Sequence, residues 1–207
     1  LDSYDGLYRL KDMGRGRLNS GHSTLSPRLF AECWSLDETG NWDNFRQSDS
    51  GSAWTLEQTR TASEVNEITG ISNTVGAAWS VPAYDPAGNM TTIPKPADPT
   101  QNYTATYDAW NRLIRLEEEV SSSSSSSSGT GVSSLSSVSS SLQTVQENAY
   151  DARRFRIVRT DYNAGSLSET RHFYYTSDWR SVEERTGTST TPDRHFLWGQ
   201  RYIDDLI

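Results

Sequence analysis

Tyr84-Asp85-Pro86-Ala87-Gly88-Asn89 and Tyr107-Asp108-Ala109-Trp110-Asn111-Arg112 spell one phrase twice: an aromatic residue, Asp, two variable residues, then Gly or Asn. Looser copies are Tyr4-Asp5-Gly6-Leu7-Tyr8-Arg9, Leu36-Asp37-Glu38-Thr39-Gly40-Asn41 and Tyr150-Asp151-Ala152-Arg153-Arg154-Phe155. Asp at the first position of a β-turn can cap the turn with its own carboxylate, Pro suits the second position, and Gly the fourth. Asp85-Pro86-Ala87-Gly88 meets all three preferences. A type I turn followed by one left-handed residue is a common hairpin loop, and Gly or Asn tolerates that conformation best. Gly40, Gly88 and Asn111 stand at that place; Tyr8 and Arg154 stand there in the looser copies, which predicts a different shape for those two turns. Strand-forming residues follow each turn, as in Leu113-Ile114 and Ile157-Val158.

The spacing agrees. Tyr84 and Tyr107 are 23 residues apart, as are Tyr175 and Trp198; Tyr107 and Tyr150 are 43 apart, with a Ser-rich stretch of about 20 between them. A period of about 23 suits two strands and two turns. The predicted fold is all-β: antiparallel hairpin repeats of about 23 residues forming a coiled, extended sheet. A hairpin in such an array cannot bury its apolar face without neighbours.

These Tyr-Asp turns, with Arg112-Leu113 after one of them, resemble the RHS or YD-repeat family over most of the chain outside the Ser tract. Trp198-Gly199-Gln200-Arg201-Tyr202-Ile203-Asp204-Asp205 looks like the lead-in to that family's repeat-associated core. The resemblance implies a segment of a hollow β-shell. Its partners would be further RHS repeats of a parent chain and an enclosed C-terminal toxin or effector domain. It also implies a secreted or cell-surface setting. Some members of the family carry a self-cleaving aspartate site. Asp85-Pro86 and Asp98-Pro99 lack the glycines that surround that motif, so no autoproteolytic residue carries over.

Composition narrows the function classes. Only 33% of the residues are hydrophobic, but 11% are aromatic, with seven Trp and ten Tyr. Aromatic residues bury large areas, and disordered chains are poor in them. An ordered β-protein with a thin, aromatic core is therefore expected. Net charge is −8, which argues against nucleic acid as a partner, since phosphate neutralisation needs concentrated Lys and Arg. The basic run from Arg153 to Arg159 alternates with Phe155 and Ile157 and reads as one charged face of a strand. Cys33 is alone, which excludes an intramolecular disulfide and a Cys-based zinc site. No apolar run is long enough for a membrane-spanning helix, so no membrane span is expected.

Three regions follow. Residues 1–119 form an N-terminal YD-repeat β region with a worn copy at Ala62-Ser63. Residues 120–146 form a disordered Ser-rich insertion, with 15 Ser between positions 121 and 141. Residues 147–207 form C-terminal hairpins, one of them closed by Asn163-Ala164-Gly165-Ser166. Val132, Leu135, Val138 and Leu142 in the tract also carry a weak helical spacing.

No catalytic, metal or cofactor site is legible. His172 and His195 are 23 residues apart and each precedes Phe, which places them at equivalent positions of neighbouring strands. Glu117-Glu118-Glu119 and Asp204-Asp205 are consecutive, and consecutive strand residues face opposite sides. The expected function is that of a non-enzymatic structural repeat module. The alternative is a carbohydrate- or receptor-binding surface, with Trp110 in its turn as the candidate stacking residue.

Overall fold

A computed structural model of the chain describes residues 3–123 and 138–199. Every regular element among them is a strand. The chain divides into two compact units, Leu1–Asn102 and Tyr103–Ile207.

The first sheet takes its strands in chain order: β1 (Ser3–Tyr4), β2 (Leu10–Leu18), β3 (Leu25–Leu36), β4 (Trp42–Ser48), β5 (Leu56–Ala62) and β6 (Ile68–Val75). The second is a nine-stranded meander. Its strands are β7 (Ala83–Tyr84), β8 (Met90–Pro94), β9 (Asn102–Tyr107), β10 (Leu113–Ser123), β11 (Val138–Tyr150), β12 (Arg156–Asn163), β13 (Ser166–Tyr175), β14 (Ser181–Thr186) and β15 (Arg194–His195). Consecutive strands pair antiparallel, and neither sheet closes into a barrel. The predicted all-β class of antiparallel hairpins stands.

Buried apolar residues are few. Among the described residues Ala31, Phe45 and Leu56 form the core of the first unit, and Ala105 is buried in the second. Aromatic rings do the rest. Trp34 lies opposite Phe45 across β3 and β4, and Phe45 opposite Gln58 across β4 and β5, so all three share one face. Trp42 joins them, its ring centroid 5.2 Å from Phe45, and Trp79 closes from the connector after β6 at 6.2 Å. In the second unit Phe155 stacks on Tyr175 at 4.9 Å and meets the edge of Trp179 at 5.8 Å. Such pairs contribute about 0.5–1.5 kcal/mol beyond area burial. This is how a chain with few aliphatics obtains an interior.

Polar groups occupy interior positions that aliphatics would otherwise fill. Arg171 on β13 donates from Nη1 to Glu184 at 2.8 Å and to Asp193 at 2.7 Å, while Nε and Nη2 reach both oxygens of Glu169 at 3.0 and 3.2 Å. The bonds to Glu169, Asp193 and Glu184 outweigh desolvation and hold its pKa above the ordinary value. A guanidinium matched to three carboxylates fixes β13 against β14 and the segment that follows it.

Two sequence expectations change. Strand pairing runs on into the Ser tract: Ser121 pairs with Ser140, Ser122 with Ser139 and Ser123 with Val138. Positions 120–123 and 138–146 of the expected disordered insertion are thus strand residues. β10 and β11 supply each other with backbone partners whatever their side chains, which composition alone does not register. The remainder of the tract, with its helical spacing at Val132 and Leu135, lies outside the described residues, as do Gln200 to Ile207. His172 and His195 lie on β13 and β15 with β14 between them; His172 is opposite Arg185, and His195 is opposite Glu183. An equal sequence interval crossed two strands, not one.

Phe45 is 4% exposed at the centre of the ring cluster. Phe45→Ala is expected to destabilise the first unit by about 3 kcal/mol. Tryptophan-monitored denaturant unfolding should show this as a lowered midpoint.

Candidate functional site

The feature that recurs through both units is the turn after Tyr-Asp. At Asp5, Asp37, Asp85, Asp108 and Asp151 the backbone N–H of the Asp donates to the carbonyl four residues on, at 2.9–3.0 Å. The N–H three residues on donates back to the Asp carbonyl, at 2.9–3.2 Å. The same pair of bonds closes the turns at Ser63 and Thr176. Seven hairpin turns thus share one geometry.

The side chain at the first position holds each turn. Oδ1 of Asp85 accepts from the N–H groups of Ala87 and Asn89, both at 2.9 Å. Oδ1 of Asp108 accepts from Trp110 and Arg112, that of Asp151 from Arg153 and Phe155, and that of Asp5 from Leu7 and Arg9. In the Asp37 turn, Asn41 N–H and Thr39 Oγ1 donate to it. Ser63 Oγ accepts from Glu67, and Thr176 Oγ1 from Asp178 and Arg180. A hydroxyl does the same work as the carboxylate, more weakly.

The fourth position is left-handed every time: Tyr8 (φ 61°), Gly40 (96°), Asn66 (64°), Gly88 (83°), Asn111 (59°), Arg154 (74°) and Trp179 (75°). The turns with Tyr8 and Arg154 therefore do not differ in shape, contrary to the sequence expectation. The cap and the two backbone bonds hold a non-glycine residue in a conformation that costs roughly 1–2 kcal/mol.

Several turns are tied to the next one within the same unit. Arg9 Nε donates to Asp5 Oδ2, and its Nη1 reaches the Asp37 carbonyl at 2.8 Å. Asn41 Nδ2 donates to Asp37 Oδ2 and to Asn66 Oδ1. In the second unit Arg112 repeats the Arg9 pattern, with Nε on Asp108 Oδ2 at 2.7 Å and Nη1 on the Asp151 carbonyl at 3.1 Å. The residue before the turn reaches in the other direction. Tyr84 OH accepts from Ile68 N–H at 3.2 Å, Tyr150 OH donates to the Leu113 carbonyl at 2.9 Å, and Tyr175 OH to the Arg156 carbonyl at 3.1 Å. Ile68, Leu113 and Arg156 each stand five residues after the start of the preceding turn. At these three turns the Tyr of one hairpin is a clasp on the hairpin before it, a bond that a phenol can make and a Phe cannot.

Tyr107 is half-buried at the end of β9, and Tyr4, on edge strand β1, is 59% exposed. Trp110 is 62% exposed; the Arg112 guanidinium lies 5.1 Å from its ring and 4.7 Å from that of Tyr150. Thr176 and Trp179 belong to the same series, and the sequence reading missed them. The signal was the Tyr175 that precedes them, masked because Thr replaces Asp.

The electrostatics are those of structural carboxylates. Bonds from Asn41 and Thr39 bring the Asp37 pKa down to about 2, and bonds from Asn89 lower that of Asp85. At Asp108 desolvation works upward and is outweighed by the bonds from Arg112 and Trp110, so the net shift is downward. A general acid needs the opposite shift. Burial and the Asp12 carboxylate, 2.8 Å away, push the Cys33 thiol up to about 11, which leaves little thiolate at neutral pH. Among the described residues no group of three or more His, Cys, Asp or Glu is placed to hold a metal, and no helix is long and apolar enough to cross a membrane.

Arg154→Gly is expected to stabilise the second unit by up to about 1 kcal/mol, because relief of the left-handed strain exceeds the added chain entropy. Ala152→Gly in the same turn should not stabilise; thermal unfolding of both variants checks this. Asp37 ionises more readily folded than unfolded, so its contribution is full above about pH 4 and fades as pH falls through about 2. An NMR titration of the Asn41 amide should show a midpoint near 2 and none in Asp37→Asn.

No protein-family model matches the chain, and no curated protein matches it significantly.

Proposed function

We propose that the chain is a non-enzymatic structural module, a wall segment of an RHS-type β-shell of the kind that encloses a C-terminal toxin or effector domain. The observation that carries this reading is the stapling of consecutive hairpins: Asp caps its own turn, the fourth residue after it reaches the next turn, and the preceding Tyr reaches back. Neighbouring hairpins within a unit supply hydrogen-bond partners to one another's turns, as in a one-dimensional array. The sheets are open, and the interior is too thin for a self-sufficient globular core. The turn aspartates have a structural task, and Asp5, Asp37, Asp85 and Asp108 have a pKa below the ordinary value, which gives no support to catalysis. Its partners in this reading are further repeats and an enclosed domain, in a secreted or cell-surface setting.

A second reading is a carbohydrate- or receptor-binding repeat surface. It is favoured by one observation: Trp110 and Trp179 (74% exposed) stand outward at the third and fourth positions of turns in the second unit.

Removal of one repeat separates an array from a globular domain. Deleting residues 151–175 joins Tyr150 to the Thr176 turn, preserves strand polarity and leaves a Tyr before a capped turn. The shortened chain is expected to keep a β-type circular dichroism spectrum and a cooperative, slightly lower melting transition. An unfolded product would count against the wall reading.

A further inference from the structure

Two half-buried arginines of the first unit, Arg46 and Arg60, lie over Trp rings with Nε buried and unpartnered, and of the two Arg60 is the one that lines a cleft. Arg9, Arg112, Arg115, Arg159, Arg171 and Arg185 each have an acidic partner. Arg60, on β5, is half-buried and has no carboxylate within 4 Å among the described residues. Its guanidinium carbon lies 4.6 Å from the Trp42 ring centroid, 5.3 Å from Trp79 and 5.9 Å from Phe45. Nη2 donates to Gln58 Oε1 at 3.0 Å, and Nε is buried without a partner. Glu32, on the aromatic face by strand alternation from Trp34, forms no ion pair with it. Desolvation lowers the Arg60 pKa, but a guanidinium keeps its proton in a protein. The rings hold this cation in place, and its counter-charge is missing.

Arg60 opens on a cleft of about 370 Å³ in the first unit, lined also by Asn41, Trp42, Thr61, Asn66 and Tyr84. Ligand pockets usually measure about 300–1,000 Å³, so this one suits a single small ring. Trp42 is 39% exposed at the lip, so part of its indole is open to a ligand ring although Arg60 and Phe45 pack against it. Asn41 Nδ2, Asn66 Oδ1 and the Thr61 hydroxyl are bonded within the protein, which leaves Asn41 Oδ1 as an acceptor and Asn66 Nδ2 and the Tyr84 O–H as donors for hydroxyl groups. We propose that this cleft binds a carboxylated sugar ring, a hexuronate unit, with the carboxylate on the Arg60 guanidinium and the ring face on Trp42. A guanidinium pairs with a carboxylate through two parallel bonds, which a neutral sugar cannot make. The net charge of −8 opposes long-range attraction of a polyanion, so recognition is of one unit by local contacts. The assignment rests on the first unit's geometry and is independent of the shell reading.

The test is titration of the full chain with galacturonate and glucuronate, read by tryptophan fluorescence and by the arginine Nε signals in NMR. Saturable binding in the millimolar range is expected, with a shift of the Arg60 Nε resonance. Binding of galactose, glucose, acetate and glutamate should be at least about tenfold weaker, because each lacks either the charge or the ring. Arg60→Gln should abolish binding. Since Arg60 also packs the core, Asn66→Asp provides a second variant: nearly isosteric, it sets a negative charge in the cleft and should weaken uronate binding about tenfold, with circular dichroism unchanged. Lack of saturation, or retained binding in Asn66→Asp, would overturn the proposal. An equal response to neutral hexoses would remove the role of Arg60, and an equal response to glutamate would make this a site for acidic side chains, not for a sugar.

Discussion

The fold depends on one capping geometry. A side-chain oxygen at the first position of the turn, from Asp in five turns and from Ser63 or Thr176 in the others, accepts bonds from groups up to four residues on and thereby fixes the backbone between them. Once that is fixed, the fourth residue is left-handed whatever its side chain. Tyr8, Arg154 and Trp179 adopt it alongside Gly40 and Gly88. The capped turn sets hairpin register, and register decides which face each side chain joins. The Tyr before the Asp and the residue four places after it then become fixed points from which neighbouring hairpins are held.

This arrangement replaces depth by adjacency. Among the described residues few aliphatic side chains are buried, and much of the interior is made of rings, a guanidinium with three carboxylates, and amides such as Gln58. Directional bonds carry more of the specificity here than they would in an aliphatic core, because a polar group left unmatched costs about 1–3 kcal/mol. The atoms left without partners cluster in the first unit: Trp34 Nε1, Arg46 Nε, Ser48 Oγ, Gln58 Nε2, Arg60 Nε and Asn73 Oδ1. The second unit, with its Arg171 network, has no such atoms among the described residues.

Most of the fold was legible because turn chemistry is local. Asp, Pro and Gly at Asp85 to Gly88 announce their conformation without reference to the rest of the chain, and the worn copy at Ala62-Ser63 lay in phase with its neighbours. What stayed hidden depends on neighbours. Arg154 gives no sign of a left-handed residue until the Asp151 cap is seen to close around it. Thr176 can replace Asp because only an acceptor oxygen is required. Ser121 to Ser123 look unstructured by composition, but a partner strand supplies their backbone bonds. The Arg60 cleft was equally invisible: Trp42, Arg60 and Trp79 are spread over some 40 positions and meet only once β4 and β5 are in place and the connector after β6 folds over them.

The capped turns all join an odd-numbered strand to the next even-numbered one, so within each sheet they occupy a single rim. The opposite rim has no shared geometry: two residues join β12 to β13, six join β2 to β3, and fourteen separate Ser123 from Val138. Ser123 and Val138 are direct cross-strand partners, whose Cα atoms stand about 4.5–5.5 Å apart. The chain therefore leaves and re-enters the sheet at nearly one point. That makes this junction a natural graft site, where any guest domain whose two ends lie side by side would be displayed without disturbing the hairpin register.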